Sequence, residues 1–202
     1  MNAYPGKRAF DLAVAGAACL LFAPVVAGVA VAILLDDSRP VTFSQSRVGR
    51  ARQAFTLLKF RSMRAQKVTT VGQWLRRTGI DELPQFVDVC RGDMSVVGPR
   101  PLTAQDLARL GWNGPEHDWR FAAKPGITGL SQLLAGRGAR ASQRLDRLYL
   151  RKQSLALDVK LVALSFAVNL LGKSKIRRWM RPAARRTHLT LTSRQASDCS
   201  SS

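Results

Sequence analysis

Leu12-Ala-Val-Ala-Gly-Ala-Ala-Cys-Leu-Leu-Phe-Ala-Pro-Val-Val-Ala-Gly-Val-Ala-Val-Ala-Ile-Leu-Leu35 is a run of 24 residues without a charge. As a helix it covers ~36 Å, enough to cross a hydrocarbon core about 30 Å thick. Three readings compete. A cleaved signal peptide has a shorter apolar region, roughly 7–15 residues. A spanning helix fits the length. A re-entrant helix, which enters the bilayer and leaves on the same side, fits two further features. Pro24 lies at the middle of the run, where it removes a backbone donor and kinks a helix. Cations flank both ends, Lys7 and Arg8 before and Arg39, Arg47, Arg50 and Arg52 after, so the positive-inside rule gives no asymmetry and places both ends in the cytoplasm. The residues alone leave spanning and re-entrant open, and either makes this a membrane protein.

The rest of the chain is basic. Lys and Arg number 32 against 13 Asp and Glu, for a net charge of +19, which predicts polyanionic surroundings: nucleic acid, anionic lipid headgroups or phosphorylated substrates. Cys19, Cys90 and Cys199 are widely spaced and unpaired in pattern, which argues against a disulfide framework or a zinc site. His117 and His188 are isolated. Leu155–Leu171 is a second apolar segment, but Asp158 and Lys160 interrupt its 17 residues. Asp158, Ser165 and Asn169 fall on one helical stripe, the pattern of a helix packed on the domain or lying in the membrane interface. Between Lys173 and Arg186 seven cations surround Trp179, a composition attracted to an anionic membrane surface. Apolar segments at both ends make nucleic acid the weaker partner. The Ser/Thr-rich stretch from His188 onward is predicted to be disordered.

Between the apolar segments the sequence reads as a small domain. Val41–Phe43 and Phe55–Phe60 are β-prone, and the polar stretch Arg47–Gln53 between them predicts a hairpin. Val71–Arg77 reads as a helix. Glu82–Cys90 reads as another, with Leu83, Phe86, Val87 and Cys90 on one face and Pro84 in its first turn. Asp81 then sits at or near the N-cap, where the helix dipole stabilises its charge. An ordinary capping aspartate is the plainer reading of Asp81. The sharper one is that Asp81 and Glu82, adjacent carboxylates in a basic chain, do chemistry: one as nucleophile or base, the other holding metal or tuning its neighbour. Gly98-Pro99-Arg100-Pro101 is a rigid loop whose prolines fix the backbone of Arg100, suiting a guanidinium that grips phosphate. Lys124-Pro125-Gly126-Ile127-Thr128-Gly129 is a glycine-rich basic turn that matches no established phosphate loop. A helix is predicted over Ala141–Gln153, with Asp146 among arginines as a salt-bridge partner.

These stretches form an ordered series. Lys7-Arg8-Ala9-Phe10-Asp11, Phe43-Ser44-Gln45-Ser46-Arg47-Val48-Gly49, Lys59-Phe60-Arg61-Ser62-Met63, Asp81-Glu82-Leu83-Pro84-Gln85, the stretch from Asp93 to Pro101, and Lys124 to Gly129 resemble, in order, motifs of the bacterial sugar transferases, the monotopic phosphoglycosyl transferases. The resemblance covers about Lys7 to Leu171. It departs at Ala23-Pro24, where the family breaks its helix at Ser-Pro, at Leu130–Gly136, and in a short Arg64–Thr70.

The resemblance implies a fold that is α+β and mostly helical: a re-entrant membrane helix, a small cytoplasmic catalytic domain, and interfacial amphipathic helices. The implied boundaries are residues 1–38 for the anchor, with Lys7, Arg8 and Pro24 its key positions, 39–181 for the catalytic domain, and 182–202 for the tail. It implies that Asp81 attacks the β-phosphate of a UDP-sugar, releasing UMP, and that a polyprenyl phosphate, undecaprenyl phosphate, then takes the sugar phosphate. Mg²⁺ is the implied cofactor, held by Glu82 and Asp81. Lys59, Arg61, Arg100 and Asp146 are the implied substrate-binding residues. The implied location is the cytoplasmic face of the bacterial inner membrane, with downstream glycosyltransferases as partners and room for a homodimer. Two other readings stand beside it: a catalytically inactive scaffold of a glycan assembly complex, and a basic membrane-anchored anion-binding module.

Overall fold

A computed structural model describes residues 3–37, 39–134 and 138–171. Among these, helix α1 (Lys7–Asp37) carries the apolar run, with Pro24 inside it, and it alone is long and apolar enough to cross a membrane. The hairpin expected from the β-prone runs forms as β1 (Thr42–Val48) and β2 (Ala54–Phe60), paired antiparallel from Thr42↔Phe60 to Val48↔Ala54. The turn between them uses a 3₁₀ segment, Arg50–Arg52, with positive φ at Ala51 and Arg52. A second, smaller hairpin comes next, β3 (Met63–Arg64) and β4 (Lys67–Val68). Its turn residues Ala65 and Gln66 both have positive φ, the twist that a two-residue hairpin favours. The short Arg64–Thr70 stretch therefore folds as a tight ribbon.

Helix α2 (Thr70–Thr78) starts at Thr69, whose hydroxyl accepts from the Gly72 amide, and stops at Gly79 in the left-handed region (φ 77°). A Cβ on Gly72 would strike the Ser62 carbonyl oxygen, so only glycine lets α2 press onto the end of the hairpin. Beyond Gly79 the chain departs from the expected pattern. The helix expected over Glu82–Cys90 begins later, as α3 (Gln85–Arg91), with Pro84 in its N-cap position. Asp81 caps no helix: it sits inside a separate 3₁₀ turn, Ile80–Glu82. The expected apolar face is also displaced. Gln85, Asp88 and Val89 are buried, whereas Val87 and Cys90 are exposed. Asp88 is buried because its Oδ2 accepts the Leu58 amide hydrogen at 2.9 Å, a bond that ties α3 to β2.

Strands β5 (Ser95–Val97) and β6 (Gly126–Thr128) pair in parallel. This joins the Val-Gly-Pro-Arg-Pro and Pro-Gly-Ile-Thr-Gly segments, so the glycine-rich turn is largely strand. A Cβ on Gly126 would meet the Gly98 amide, and one on Gly129 the Gly98 carbonyl; the two segments touch backbone to backbone. Between these strands run α4 (Ala104–Leu110), opened by a capping box of Thr103 and Asp106, and a 3₁₀ segment, Pro115–Ala122. Helices α5 (Leu130–Leu134), α6 (Ala139–Lys152) and α7 (Leu155–Leu171) complete the described chain.

Both halves of α1 pack on this one body. Ala15 joins the main core with Val89, Met94, Val96 and Leu161, while Val29 and Ile33 join Phe60 and Leu75. At the far end, Asp36 Oδ2 accepts the Val71 amide hydrogen at 3.2 Å. The middle is bare: Leu20 and Leu21 are 81% and 70% exposed. Lys7 and Arg8, expected as anchor cations, are occupied by protein. Lys7 Nζ lies 3.0 Å from Asp11 Oδ1 and 2.7 Å from Asp158 Oδ2, and Arg8 donates to the carbonyls of Val89 and Cys90 at 2.6 and 2.9 Å. Of the polar stripe expected on α7, Asp158 is fully buried and receives the Tyr4 hydroxyl at 2.9 Å. Ser165 faces a cavity, and the Asn169 side chain lies outside the described residues, as do Cys199, His188 and the Lys173–Arg186 cluster with Trp179.

Candidate active site

The 3₁₀ turn that carries Asp81 and Glu82 opens onto a cavity of about 1360 Å³. Its two sides differ in chemistry. One is polar, with Arg47 from β1, Lys59 and Arg61 from β2 and its end, Arg76 and Arg77 from α2, and Arg100 from the proline loop. The other is apolar, with Val14, Phe22 and Val25 from α1 and Val162, Phe166 and Val168 from α7. The sequence thus sends its acidic pair, its cations and its two apolar helices to one place.

Lys59 Nζ pairs with Glu82 Oε1 at 2.7 Å. This fixes Glu82 and leaves Asp81 with no hydrogen bond from another side chain among the described residues. Burial raises the Asp81 carboxyl above the usual carboxylate range, the Glu82 charge adds to that, and Lys59 and Arg76 oppose it. Burial thus disfavours the Asp81 charge and two cations oppose that effect, so the carboxyl stands poorly solvated at the cavity.

Arg100 sits on a backbone held from three directions. The Gly126 amide donates to the Pro99 carbonyl at 2.9 Å and the Val48 amide to the Leu102 carbonyl at 2.9 Å. Arg120 Nη2 donates to the Arg100 carbonyl at 2.6 Å. The Arg100 guanidinium itself is exposed and makes no hydrogen bond or ion pair among the described residues, so a rigid main chain presents a free cation. Arg47 braces the same loop by donating to the Pro101 carbonyl at 3.3 Å and to Gln45 Oε1 at 2.6 Å.

Asp146 does not line the cavity. It is buried behind it, paired with the buried Arg120, whose guanidinium also lies over the Trp112 ring. Of the expected site residues, the cavity unites Asp81, Glu82, Lys59, Arg61 and Arg100 and leaves Asp146 one step removed. Sequence reasoning missed Arg120 altogether, because nothing local marks it. It also passed over Arg47 as a site member, although Arg47 lies in a quoted motif; Arg76 and Arg77, the basic segment that precedes the acidic pair, were expected to face an anionic substrate and do line the cavity.

A sequence model described as bacterial sugar transferase matches residues 2–172. The chain belongs to the bacterial sugar transferase family. Among curated bacterial sugar transferases, it is 39% identical over 181 residues to the UDP-glucose:undecaprenyl-phosphate glucose-1-phosphate transferase of Caulobacter vibrioides, covering 77% of this chain and 66% of that protein. It is 37% identical over 193 residues to the undecaprenyl-phosphate glucose phosphotransferase of Komagataeibacter xylinus, covering 83% of this chain but 36% of that protein. With the exopolysaccharide production protein PSS of Rhizobium leguminosarum bv. phaseoli it shares 36% identity, over 77% of this chain and 90% of the relative. The chain thus spans only about a third of one of these bacterial sugar transferases and most of another.

Proposed function

We propose that the chain transfers a sugar phosphate from a UDP-sugar to a polyprenyl phosphate such as undecaprenyl phosphate, as an opening membrane step of polysaccharide synthesis. The observation that carries this is the two-sided cavity: an acidic pair among cations on one side, and an apolar wall from α1 and α7 on the other. A diphosphate matches the first and a prenyl chain the second. The activities named for the Caulobacter and Komagataeibacter relatives support the same reading.

In the proposed reaction an Asp81 oxygen attacks the β-phosphorus, the bond from that phosphorus to the α-phosphate oxygen breaks, and UMP leaves with the electron pair. The sugar phosphate remains on Asp81 as an acyl phosphate. An oxygen of the polyprenyl phosphate then attacks the same phosphorus, the acyl bond breaks, and Asp81 is restored. Arg100 and Arg77, free of protein partners among the described residues, neutralise phosphoryl oxygens. Lys59 holds Glu82 in place, and Arg76 offsets the charge of Asp81.

Asp81 and Glu82 fit Mg²⁺, which takes hard oxygen ligands and is commonly held by one or two carboxylates together with substrate phosphates. Asp81 and Glu82 would hold the ion from the protein side, together with the phosphates of the substrate. When bound, Mg²⁺ withdraws charge from the phosphoryl oxygens.

The re-entrant reading of α1 belongs to the same proposal. Both its halves dock on one body, and its exposed middle surrounds Pro24. A helix whose ends sit on opposite membrane faces would have to release one of these contacts. The reading places the cavity on the cytoplasmic face of the inner membrane, with α7 at the interface. With Cys19, Cys90 and Cys199 replaced by serine, cysteines introduced at positions 3 and 39 should label from one side only; labelling from opposite sides sinks the topology. For the activity, reconstituted protein with Mg²⁺, undecaprenyl phosphate and a panel of UDP-sugars should release UMP. No release from any of them would favour the inactive scaffold.

A further inference from the structure

Outside the cavity, two cations converge over one glycine. Gly92 ends α3 in the left-handed region (φ +98°), and a Cβ there would lie 3.4 Å from Lys124 Nζ and 3.5 Å from Arg8 Nη2. Arg8 spends two N–H groups on the last carbonyls of α3 and keeps others free, since a guanidinium has five. Lys124 is half-buried and makes no hydrogen bond or ion pair among the described residues. Arg50 adds to the positive field at Lys124, while Asp11 and Asp93 oppose it from beyond ion-pair distance. Two like charges brought together over an open, side-chain-free spot favour an anion between them. None of Arg8, Gly92 or Lys124 lines the catalytic cavity.

We propose that Arg8 and Lys124, meeting over Gly92, form a binding site for the phosphate of an anionic phospholipid headgroup. The location selects a lipid over free phosphate. Arg8 precedes the uncharged run that starts at Leu12 by four residues of the same helix, about 6 Å along its axis, which is headgroup depth if that run enters the bilayer. Val87, Cys90 and the cationic Arg91 are exposed on α3 beside the site. The glycine is required twice: a side chain would be strained at this φ and would fill the space for the phosphate. Burial, then Arg8, lowers the Lys124 ammonium below its ordinary value, the cost that a bound anion would relieve. Such a site would fasten the start of α1 to the membrane plane, outside the reaction itself.

The test uses the full chain in a non-ionic detergent. Thermal melts are followed with phosphatidylglycerol, with zwitterionic phosphatidylcholine, and with inorganic phosphate. Phosphatidylglycerol should raise the Tm of the unsubstituted protein well above the effect of phosphatidylcholine. Lys124→Gln should weaken the phosphatidylglycerol response about fivefold in apparent affinity. Lys124→Arg should keep it, and so should Lys152→Gln, a charge-loss control at the end of α6. Melts without lipid confirm that each variant folds. An undiminished response in Lys124→Gln, or an equal loss in Lys152→Gln, overturns the site. Inorganic phosphate matching phosphatidylglycerol overturns its assignment to a lipid headgroup. UMP release is not part of the readout, so failure here leaves the proposed transferase reaction standing.

Discussion

Two of the carboxylate pairs in this strongly basic chain have opposite surroundings. Asp11 and Asp158 are buried and fully engaged. Asp11 Oδ1 accepts from Lys7 Nζ, the Ser95 hydroxyl and the Val96 amide, each at 3.0 Å. Asp158 faces Lys7 Nζ at 2.7 Å and the hydroxyls of Tyr4 and Tyr149 at 2.9 Å each. This pair fastens the start of α1 to α7 and β5. Asp81 and Glu82 are adjacent in sequence, half-exposed at a cavity, and unequal, because Lys59 holds Glu82 while Asp81 is pushed up by burial. Satisfied charges hold a fold together; an under-satisfied one is a reservoir of reactivity. The two pairs should therefore fail in different ways.

Asp81→Asn should lower UMP release by on the order of 10³-fold or more, since in the proposed reaction loss of the nucleophile removes the whole covalent route. Its stability should hold or rise at neutral pH. The sign comes from linkage: a carboxyl raised in the folded state binds its proton more tightly there. Stability therefore falls as pH climbs from the unfolded pKa to the folded one, and removing the ionisable group recovers that loss. A melt showing Asp81→Asn strongly destabilised would erase the contrast between the pairs. Asp158→Ala should do the reverse, leaving the buried Lys7 with Asp11 as its one remaining carboxylate and the Tyr4 hydroxyl without its acceptor, at a cost of about 3 kcal/mol. A fall in Tm of roughly 10 °C is the expected reading.

In activity Arg120→Ala should cost less than Asp81→Asn, because it loosens the Arg100 carbonyl without removing the Arg100 guanidinium. Its Tm should also fall, because the buried Asp146 loses its partner. A KM for the UDP-sugar raised roughly tenfold is expected, about 1.4 kcal/mol, with kcat changed less. A purely structural role would lower the active fraction and leave KM alone. Smallest is the pH effect. Because Asp81 is raised, the acid limb of kcat/KM should fall at a pH above the ordinary aspartate range of about 3.9, and Glu82→Gln should move that limb downward, since the Glu82 charge is one cause of the shift.

How much of this the sequence disclosed depended on distance along the chain. The hairpin was legible because alternation and turn residues are local, and α2 was legible almost to its ends. The start of α3 was not. The periodic pattern from Leu83 to Cys90 runs on past Pro84, whereas the chain closes α2 at Gly79 and spends one 3₁₀ turn before starting again. The buried face of α3 was misjudged for a related reason: Asp88 reads as a surface residue until the Leu58 amide, thirty positions away, becomes its partner. At the site, Asp81, Glu82 and Arg100 stood out as charge and proline patterns, whereas Lys59 entered only through the resemblance to the bacterial sugar transferases. Arg120 did not, because its work is done through Asp146 and the Arg100 carbonyl, 26 and 20 positions distant. The convergence of Arg8 and Lys124 over Gly92 is likewise a product of folding.

In the proposed reaction everything turns on Asp81 carrying the sugar phosphate between the two substrates. Reconstituted protein incubated with Mg²⁺ and its UDP-sugar, without any lipid acceptor, should release UMP in proportion to enzyme and gain one sugar phosphate in intact-mass spectra. Peptide mapping should put the addition on Asp81, and undecaprenyl phosphate should remove it. UMP release that waits for the lipid, with no adduct on Asp81 at any time, would contradict that role.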